Sequence, residues 1–203
     1  MTLINRGTGA SCIYPLLGHR LYDWYFIASD IDPISLKYAN KNIQLNKFEE
    51  SIETYLNSST SPIIKDIVEK QQSIIDFTMC NPPFFEDIEQ ACQNEKETCT
   101  ATTGELVTSG GEFELVLKMI KESLILQNKV IWYSSLLGRK TDLKKLIQVL
   151  KDYNVVNYRS AEFCPGRTSR WALAWSFTKR GLKELLVNYV IFSFLRIYYR
   201  KTN

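Results

Sequence analysis

Apolar residues recur along this chain with two periods, and the two periods take turns. "TLIN" at residues 2–5 reads as a short strand, stopped by Gly7 and Gly9. Ser11 is placed to cap a short helix over "CIYPLLG" at 12–18. "WYFIAS" at 24–29 is a buried-strand pattern ending at Asp30. Asp32-Pro33 then opens a helix, because proline suits the first helical turn. Ile34, Tyr38 and Ile43 fall near one face of it, and Asn46 ends it. "SIETYL" at 51–56 predicts a third strand. "SPIIKDIVEKQ" at 61–71 predicts a helix with Ser61 as cap and Pro62 in the first turn. "SIIDFTM" at 73–79 is the fourth strand. Phe113, Val116, Leu117, Ile120 and Leu124 keep a 3.6-residue period and mark the next helix. "KVIWYSSLL" at 129–137 is a fifth strand and "TDLKKLIQVLKDY" at 141–153 a helix.

Strands that alternate with helices predict an α/β fold with a doubly wound, mostly parallel sheet. "VVNYRSAEF" at 155–163 and "RWALAWSFT" at 170–178 have no helix between them. They should pair antiparallel and give the sheet, seven-stranded by this reading, an antiparallel edge. Residues 86–109 form a long polar loop, a length that is usually functional or disordered. The expected organisation is one domain over residues 1–180 and an apolar helix over 181–203. Within that helix "LLVNYVIFSFL" at 185–195 is too short to cross a bilayer and contains Asn188, so a buried or partner-facing helix is expected rather than a membrane span.

Composition changes this picture little. Hydrophobic residues at 45% and charged residues at 23% exclude a disordered chain. The net charge of +3 is too mild to announce nucleic acid by itself. Its distribution says more. Residues 118–151 carry eight Lys or Arg against Glu122 and Asp142, and residues 179–203 carry six against Glu184. Both stretches favour a polyanion, although solvated helix faces look the same. The loop from Glu86 to Gly110 is acidic, with six acids against Lys96. Cys12, Cys80, Cys92, Cys99 and Cys164 form no CxxC pair, and with the single His19 they make no zinc set. Free thiols, a reducing compartment and no metal are expected.

Three features fall at the carboxyl ends of predicted strands, where an open parallel sheet holds its ligand. "GTGAS", Gly7 to Ser11 with Thr8 and Gly9 between, lets backbone approach a ligand closely and presents free N–H groups. Asp30 can accept hydrogen bonds from ribose hydroxyls, with Asp32 competing as the helix cap. "MCNPPFF" at 79–85 ends the fourth strand, because proline cannot donate to a sheet ladder. Proline also holds Asn81 in extended geometry. The product is a stiff turn that presents an amide, with the ring of Phe84 behind Pro82 and Pro83. Such a pair can grip a planar ligand that carries an amino group; the plain alternative is a strand-end turn.

The order of these features, with an acid roughly twenty residues after the glycine loop, resembles S-adenosylmethionine-dependent amino methyltransferases. "GTGASCIYPLLG", "CNPPFF" and "EFCPGRTSRWALAWSF" at 162–177 together resemble the methyltransferase-like protein sixteen family. That family is similar to the bacterial adenine-N6 methyltransferase of large-subunit ribosomal RNA. The resemblance implies a Rossmann-like class I methyltransferase that uses S-adenosylmethionine. It implies methyl transfer to N6 of an adenosine in structured RNA, with U6 small nuclear RNA and S-adenosylmethionine synthetase transcripts as substrates. A nuclear protein follows, with a cytoplasmic population as an addition.

By the same resemblance Gly7, Thr8, Gly9, Ser11, Asp30, Ser61 and Asn81 are cofactor positions. Asn81, Pro82, Pro83 and Phe84 form the catalytic turn, in which Asn81 Oδ1 and the Pro82 carbonyl accept the two N6 hydrogens while Phe84 stacks on the base. Arg167 and Arg170 are RNA contacts, or a surface pair bracing the last strands. The chain departs from the family at Asn5-Arg6, where an acid and an apolar residue are usual. Its acidic loop is basic in relatives, and it opens directly on its first strand where relatives carry a basic RNA-gripping extension, so a domain without that extension is expected. Guanine-N2 and glutamine-N5 methyltransferases share the Asn-Pro-Pro-aromatic turn and remain alternatives. So does a catalytically inactive RNA-binding fragment.

Overall fold

The computed structural model describes residues 1–58, 62–82, 111–164 and 169–178. Within them the two sequence periods become seven strands and five α-helices. They run β1 (Thr2–Arg6), α1 (Ile13–Tyr22), β2 (Tyr25–Asp30), α2 (Pro33–Asn46), β3 (Ile52–Leu56), α3 (Lys65–Lys70), β4 (Ile75–Cys80), α4 (Gly111–Leu126), β5 (Val130–Leu137), α5 (Lys140–Asp152), β6 (Asn157–Phe163) and β7 (Arg170–Ser176). The strands form one sheet in the order β3-β2-β1-β4-β5-β7-β6. β1 to β5 pair parallel, and β7 joins β5 and β6 antiparallel, as the missing helix between the last two strands predicts. β1 is the switch point. The chain winds outward through β2 and β3 on one side and restarts at β4 on the other.

Strand alternation splits the core in two. Leu3, Phe26, Ala28, Phe77 and Met79 face one layer, which includes Tyr14 of α1 and Ala39 and Ile43 of α2. Ile4, Ile27 and Cys80 face the other, built on α3, α4 and α5 through Ile67, Val116, Ile120, Leu146 and Leu150. Cys12 and Cys80 are buried free thiols.

Three local expectations change. Ser11 does not cap α1. The chain turns through left-handed geometry at Cys12 (φ 51°), which stands at the N-cap position with no side-chain cap bond. On α2, Ile34 and Tyr38 are exposed, whereas Leu36, Ala39 and Ile43 are buried. The apolar pattern fitted two faces, and small Ala39 on one of them lets the helix close on the sheet. α3 starts at Lys65 rather than at Pro62, because its N-terminus is capped from another helix. Glu122 of α4 accepts the N–H groups of Ile63, Ile64 and Lys65 at 2.5, 2.8 and 3.0 Å. Ser61, the expected cap, lies outside the described residues.

Glu122→Ala would leave three N–H groups at a helix start without their shared acceptor. A loss of about 2 kcal/mol is expected, read as a lower midpoint in urea unfolding. An unchanged midpoint would mean that water replaces the carboxylate without cost.

Candidate active site

The site is built at the carboxyl ends of β3, β2, β1 and β4, which lie side by side in that order. β1 ends at Arg6, and Gly7 (φ 71°) and Gly9 (φ 62°) then reverse the chain with backbone that side chains rarely adopt. Gly7 and Thr8 both donate to the carbonyl of Ser29 at the end of β2, at 2.9 and 3.0 Å. A β-carbon at Gly7 would stand 3.8 Å from the carbonyl oxygen of Asn81, so this turn lies against the end of β4 as well. Thr8 is buried, and its hydroxyl donates to Cys12 Sγ at 3.4 Å. Burial pushes the Cys12 thiol up to about 11, although the Thr8 bond works against it. Cys12 is therefore a packing residue rather than a nucleophile.

Asp30 fixes the loop from the β2 side. Its Oδ2 accepts Gly9 N–H at 2.8 Å, and its Oδ1 accepts Ile31 N–H at 2.8 Å and Asp32 N–H at 3.1 Å. A carboxylate offers about four acceptor positions, so roughly one remains, on Oδ2. The competition with Asp32 is resolved by division of labour. Asp32 caps α2, accepting Ile34 and Ser35 N–H at 3.0 Å each and the Ser35 hydroxyl at 2.7 Å. The Ser35 hydroxyl first, and then the two backbone donors, hold its carboxyl below the usual range.

Two residues not singled out in the sequence also shape the site. Asn42 of α2 donates to the carbonyl of Ala10 at 3.0 Å and so holds the glycine loop from below. Asn57 follows β3, donates its backbone N–H to Asp30 O at 2.8 Å and its Nδ2 to Ile63 O at 3.0 Å. Its buried Oδ1 has no partner among the described residues. Both could have been found by inspecting each strand's carboxyl end and the helix turns beneath.

Asn81 follows directly on β4. Its side-chain Oδ1 is buried and has no hydrogen-bond partner among the described residues. Pro82 behind it is buried. On the β5 side the regular ladder ends at Phe77↔Trp132. Beyond it side chains bridge the strands: Ser134 Oγ donates to Thr78 O, and the Ser135 hydroxyl is shared between Leu136 O at 3.1 Å and Cys80 O at 3.4 Å. The carboxyl end of β4 is thus held by hydroxyls, and Asn81 stands just past the last of them.

An unpaired buried amide costs free energy, on the order of 1–3 kcal/mol, and persists where a ligand completes it. Asn5 at 0% exposure also lacks partners for both amide atoms, and Arg6 Nε lacks one, among the described residues. With Asn57 and Asn81 this puts unsatisfied groups at the ends of three strands, β3, β1 and β4, with Asp30 of β2 among them. That set, with the glycine cradle, suits an elongated polar ligand such as a nucleoside carrying an amino-acid tail.

Of the other expected positions, Ser11 is exposed and near the loop. Arg170 opens β7, which runs antiparallel, so it lies at the same edge of the sheet as Asn81. Its Nη1 donates to Ser169 O at 3.0 Å. Pro83, Phe84, Phe85, Arg167, Cys92, Cys99, the expected loop over 86–109 and the expected helix from Gly181 lie outside the described residues. Among the described residues no His, Cys, Asp and Glu cluster could hold a metal, and no helix is long and apolar enough to cross a membrane.

A family model described as RNA methyltransferase matches residues 1–179. The chain belongs to the RNA methyltransferase family. The RNA N(6)-adenosine-methyltransferase METTL16 of Gallus gallus is 41% identical over 183 residues, which cover 86% of this chain and 33% of that protein. The U6 small nuclear RNA (adenine-(43)-N(6))-methyltransferase of Drosophila melanogaster is 33% identical over 197 residues, covering 89% of this chain and 64% of that one. The chain thus spans about a third of the METTL16 proteins it matches. Among solved structures, the hMettl16 catalytic domain in complex with MAT2A 3′UTR hairpin 1 superposes with a TM-score of 0.79 at 38% identity, over 88% of this chain and 64% of that one. The N-terminal domain of human METTL16 in complex with SAH gives 0.72 at 39% identity, over 88% and 62%. Members of the RNA methyltransferase family thus share this sheet, and the sequence resemblance is borne out.

Proposed function

We propose that this chain is an S-adenosylmethionine-dependent methyltransferase domain, spanning residues 1–180, that modifies N6 of an adenosine in structured RNA. The observation that carries the reading is Asn81 Oδ1, buried at the end of β4 beside the glycine turn and without a partner among the described residues. The names of the relatives support adenosine over guanine or glutamine, and U6 small nuclear RNA and a synthetase-transcript hairpin are the leading substrates. Work on U6 RNA would put the protein in the nucleus.

S-adenosylmethionine, when bound, supplies an electrophilic methyl on its sulfonium. The residues of this chain arrange what attacks it. Adenine N6 is a poor nucleophile, because its lone pair is spread into the ring. Asn81 Oδ1 accepts one N6 hydrogen and the Pro82 carbonyl the other. Those two bonds draw the nitrogen toward tetrahedral geometry and localise its lone pair on the side facing the methyl. The amide has no useful pKa, so Asn81 orients and polarises rather than taking a proton; the surplus proton leaves to water after transfer. Asp30 Oδ2 accepts one ribose hydroxyl, Gly7 and Gly9 bring backbone close, and Thr8 stiffens the turn from inside. Ser11 and Ser61 are the remaining proposed cofactor contacts, and Phe84 is the proposed stacking partner of the flipped base. Holding two reactants in line in this way can supply several kcal/mol of the barrier.

The decisive experiment incubates the chain with an adenosine-containing RNA hairpin and S-adenosylmethionine, then digests the RNA and measures N6-methyladenosine. Methylated guanosine in its place, or methylated protein glutamine, would redirect the reading. RNA grip should come from the basic residues of α4 and α5 with Arg167 and Arg170. Part of that charge is already engaged, because Lys140 pairs with Glu162 at 3.0 Å and Lys145 with Asp142 at 3.8 Å. Hairpin affinity should still fall about tenfold or more between roughly 50 and 200 mM salt, as a few phosphate contacts require. A binding constant that stays flat over that range would remove this surface from the interface.

A further inference from the structure

Arg6 ends β1 at 8% exposure. Its Nε has no hydrogen-bond partner, and no ion pair to it forms, among the described residues. A guanidinium stays charged at every working pH, so burying it without an anion is costly. Alternation along β1 puts it on the face of Ile4, above the α3 and α4 layer, and its charge is felt by the neighbouring Cys80 thiol, which burial raises and Arg6 lowers.

Its place in the register narrows the anion it awaits. Arg6 stands opposite Ser29 of β2 and Cys80 of β4. One residue further along those strands are Asp30 and Asn81. Arg6 therefore lies between the group assigned to the ribose and the group assigned to the reacting amine. Asp30 itself is not the counterion, since among the described residues no ion pair joins it to Arg6 and its carboxylate is turned to the N–H groups of Gly9, Ile31 and Asp32. The methyl donor carries one anionic group, the carboxylate of its amino-acid tail, and that tail must run from the ribose past the sulfonium. An RNA phosphate is held on a continuous backbone and reaches an 8%-exposed side chain less readily than a small carboxylate inside the cleft. We propose that Arg6 binds the amino-acid carboxylate of the methyl donor. This inference rests on the S-adenosylmethionine reading above.

The test is calorimetry on the full chain with two ligands. One is S-adenosylhomocysteine; the other is its decarboxylated analogue, which keeps the amine and lacks only the carboxylate. The unaltered protein should prefer S-adenosylhomocysteine by tenfold or more. Arg6→Leu should lose roughly 10- to 100-fold for that ligand, as expected for a charge-assisted bond, while the analogue stays within about twofold. Arg6→Lys should restore part of the preference, because it returns the charge without the fork. Thermal melts of both variants control for folding, and the preference of the unaltered protein needs no variant at all. Equal affinity of the unaltered protein for the two ligands would overturn the proposal, and so would a parallel loss of both in Arg6→Leu. A loss of hairpin affinity in Arg6→Leu with S-adenosylhomocysteine binding intact would assign the guanidinium to a phosphate and overturn it too. No binding of either ligand to the unaltered protein would instead sink the cofactor reading on which it stands.

Discussion

Asn81→Ala is expected to slow methyl transfer to RNA by roughly 10²- to 10³-fold while leaving the fold in place, the size seen when one pre-aimed polar contact to a reacting centre is removed. Pro82 and Pro83 remain, so the backbone of the turn keeps its restriction. Asn81 Oδ1 makes no hydrogen bond among the described residues, so the truncation breaks nothing that the free protein has. The melting temperature should hold or rise slightly, because an unsatisfied buried amide is removed. Binding of S-adenosylhomocysteine should change little. The loss therefore appears in kcat and in kcat/KM together, as for an interaction made mainly in the transition state. Single-turnover methylation of a hairpin at saturating donor reads this directly. A variant that methylates at the parental rate would reduce the Asn-Pro-Pro turn to a strand end, and the mechanism above would fall with it.

Asp30→Ala is expected to weaken S-adenosylhomocysteine binding by roughly 10- to 100-fold, from lost bonds to a charged acceptor. The structure adds a second cost. Asp30 collects the N–H groups of Gly9, Ile31 and Asp32, so removing it releases the glycine loop from β2 at the same time. Stability should therefore fall by about 2 kcal/mol, unlike the case of Asn81. Calorimetry and urea unfolding on the same preparation separate the two effects. Unchanged ligand affinity with lowered stability would make Asp30 a latch for the loop and move the ribose contact elsewhere, with Asn57 Oδ1, unpartnered among the described residues, as the candidate acceptor. Asp32 is a weaker substitute, since its carboxylate is already engaged in capping α2.

The alternation of strand and helix was legible in sequence because each element declares its own period. The parallel-then-antiparallel plan followed from one missing helix between Phe163 and Arg170. The glycine turn, Asp30 and Asn81 were legible too, since glycine, a strand-end acid and a proline-stopped strand each have a local backbone cause. Charge was less informative. Lys140 and Lys145 contribute to a basic stretch in sequence, yet each is paired with an acid in space.

What the sequence determined by itself, then, is whatever a few adjacent residues can enforce: where strands stop, where Asp32 and Pro33 start a helix, and where Gly7 and Gly9 allow a turn. Tertiary structure decided whatever depends on partners far along the chain. Glu122, 57 residues beyond Lys65, sets the start of α3 and overrides the local cap signal. Ala39 rather than Ile34 faces the sheet, because the helix settles on the side where it can approach most closely. Asp30 reaches 21 residues back to Gly9, and Arg6 and Asn81 become neighbours only when β4 pairs with β1. The physical reason is the same in each case. A hydrogen-bond donor or a buried charge is satisfied by whatever the fold brings within about 3 Å of it, and sequence distance does not enter that condition.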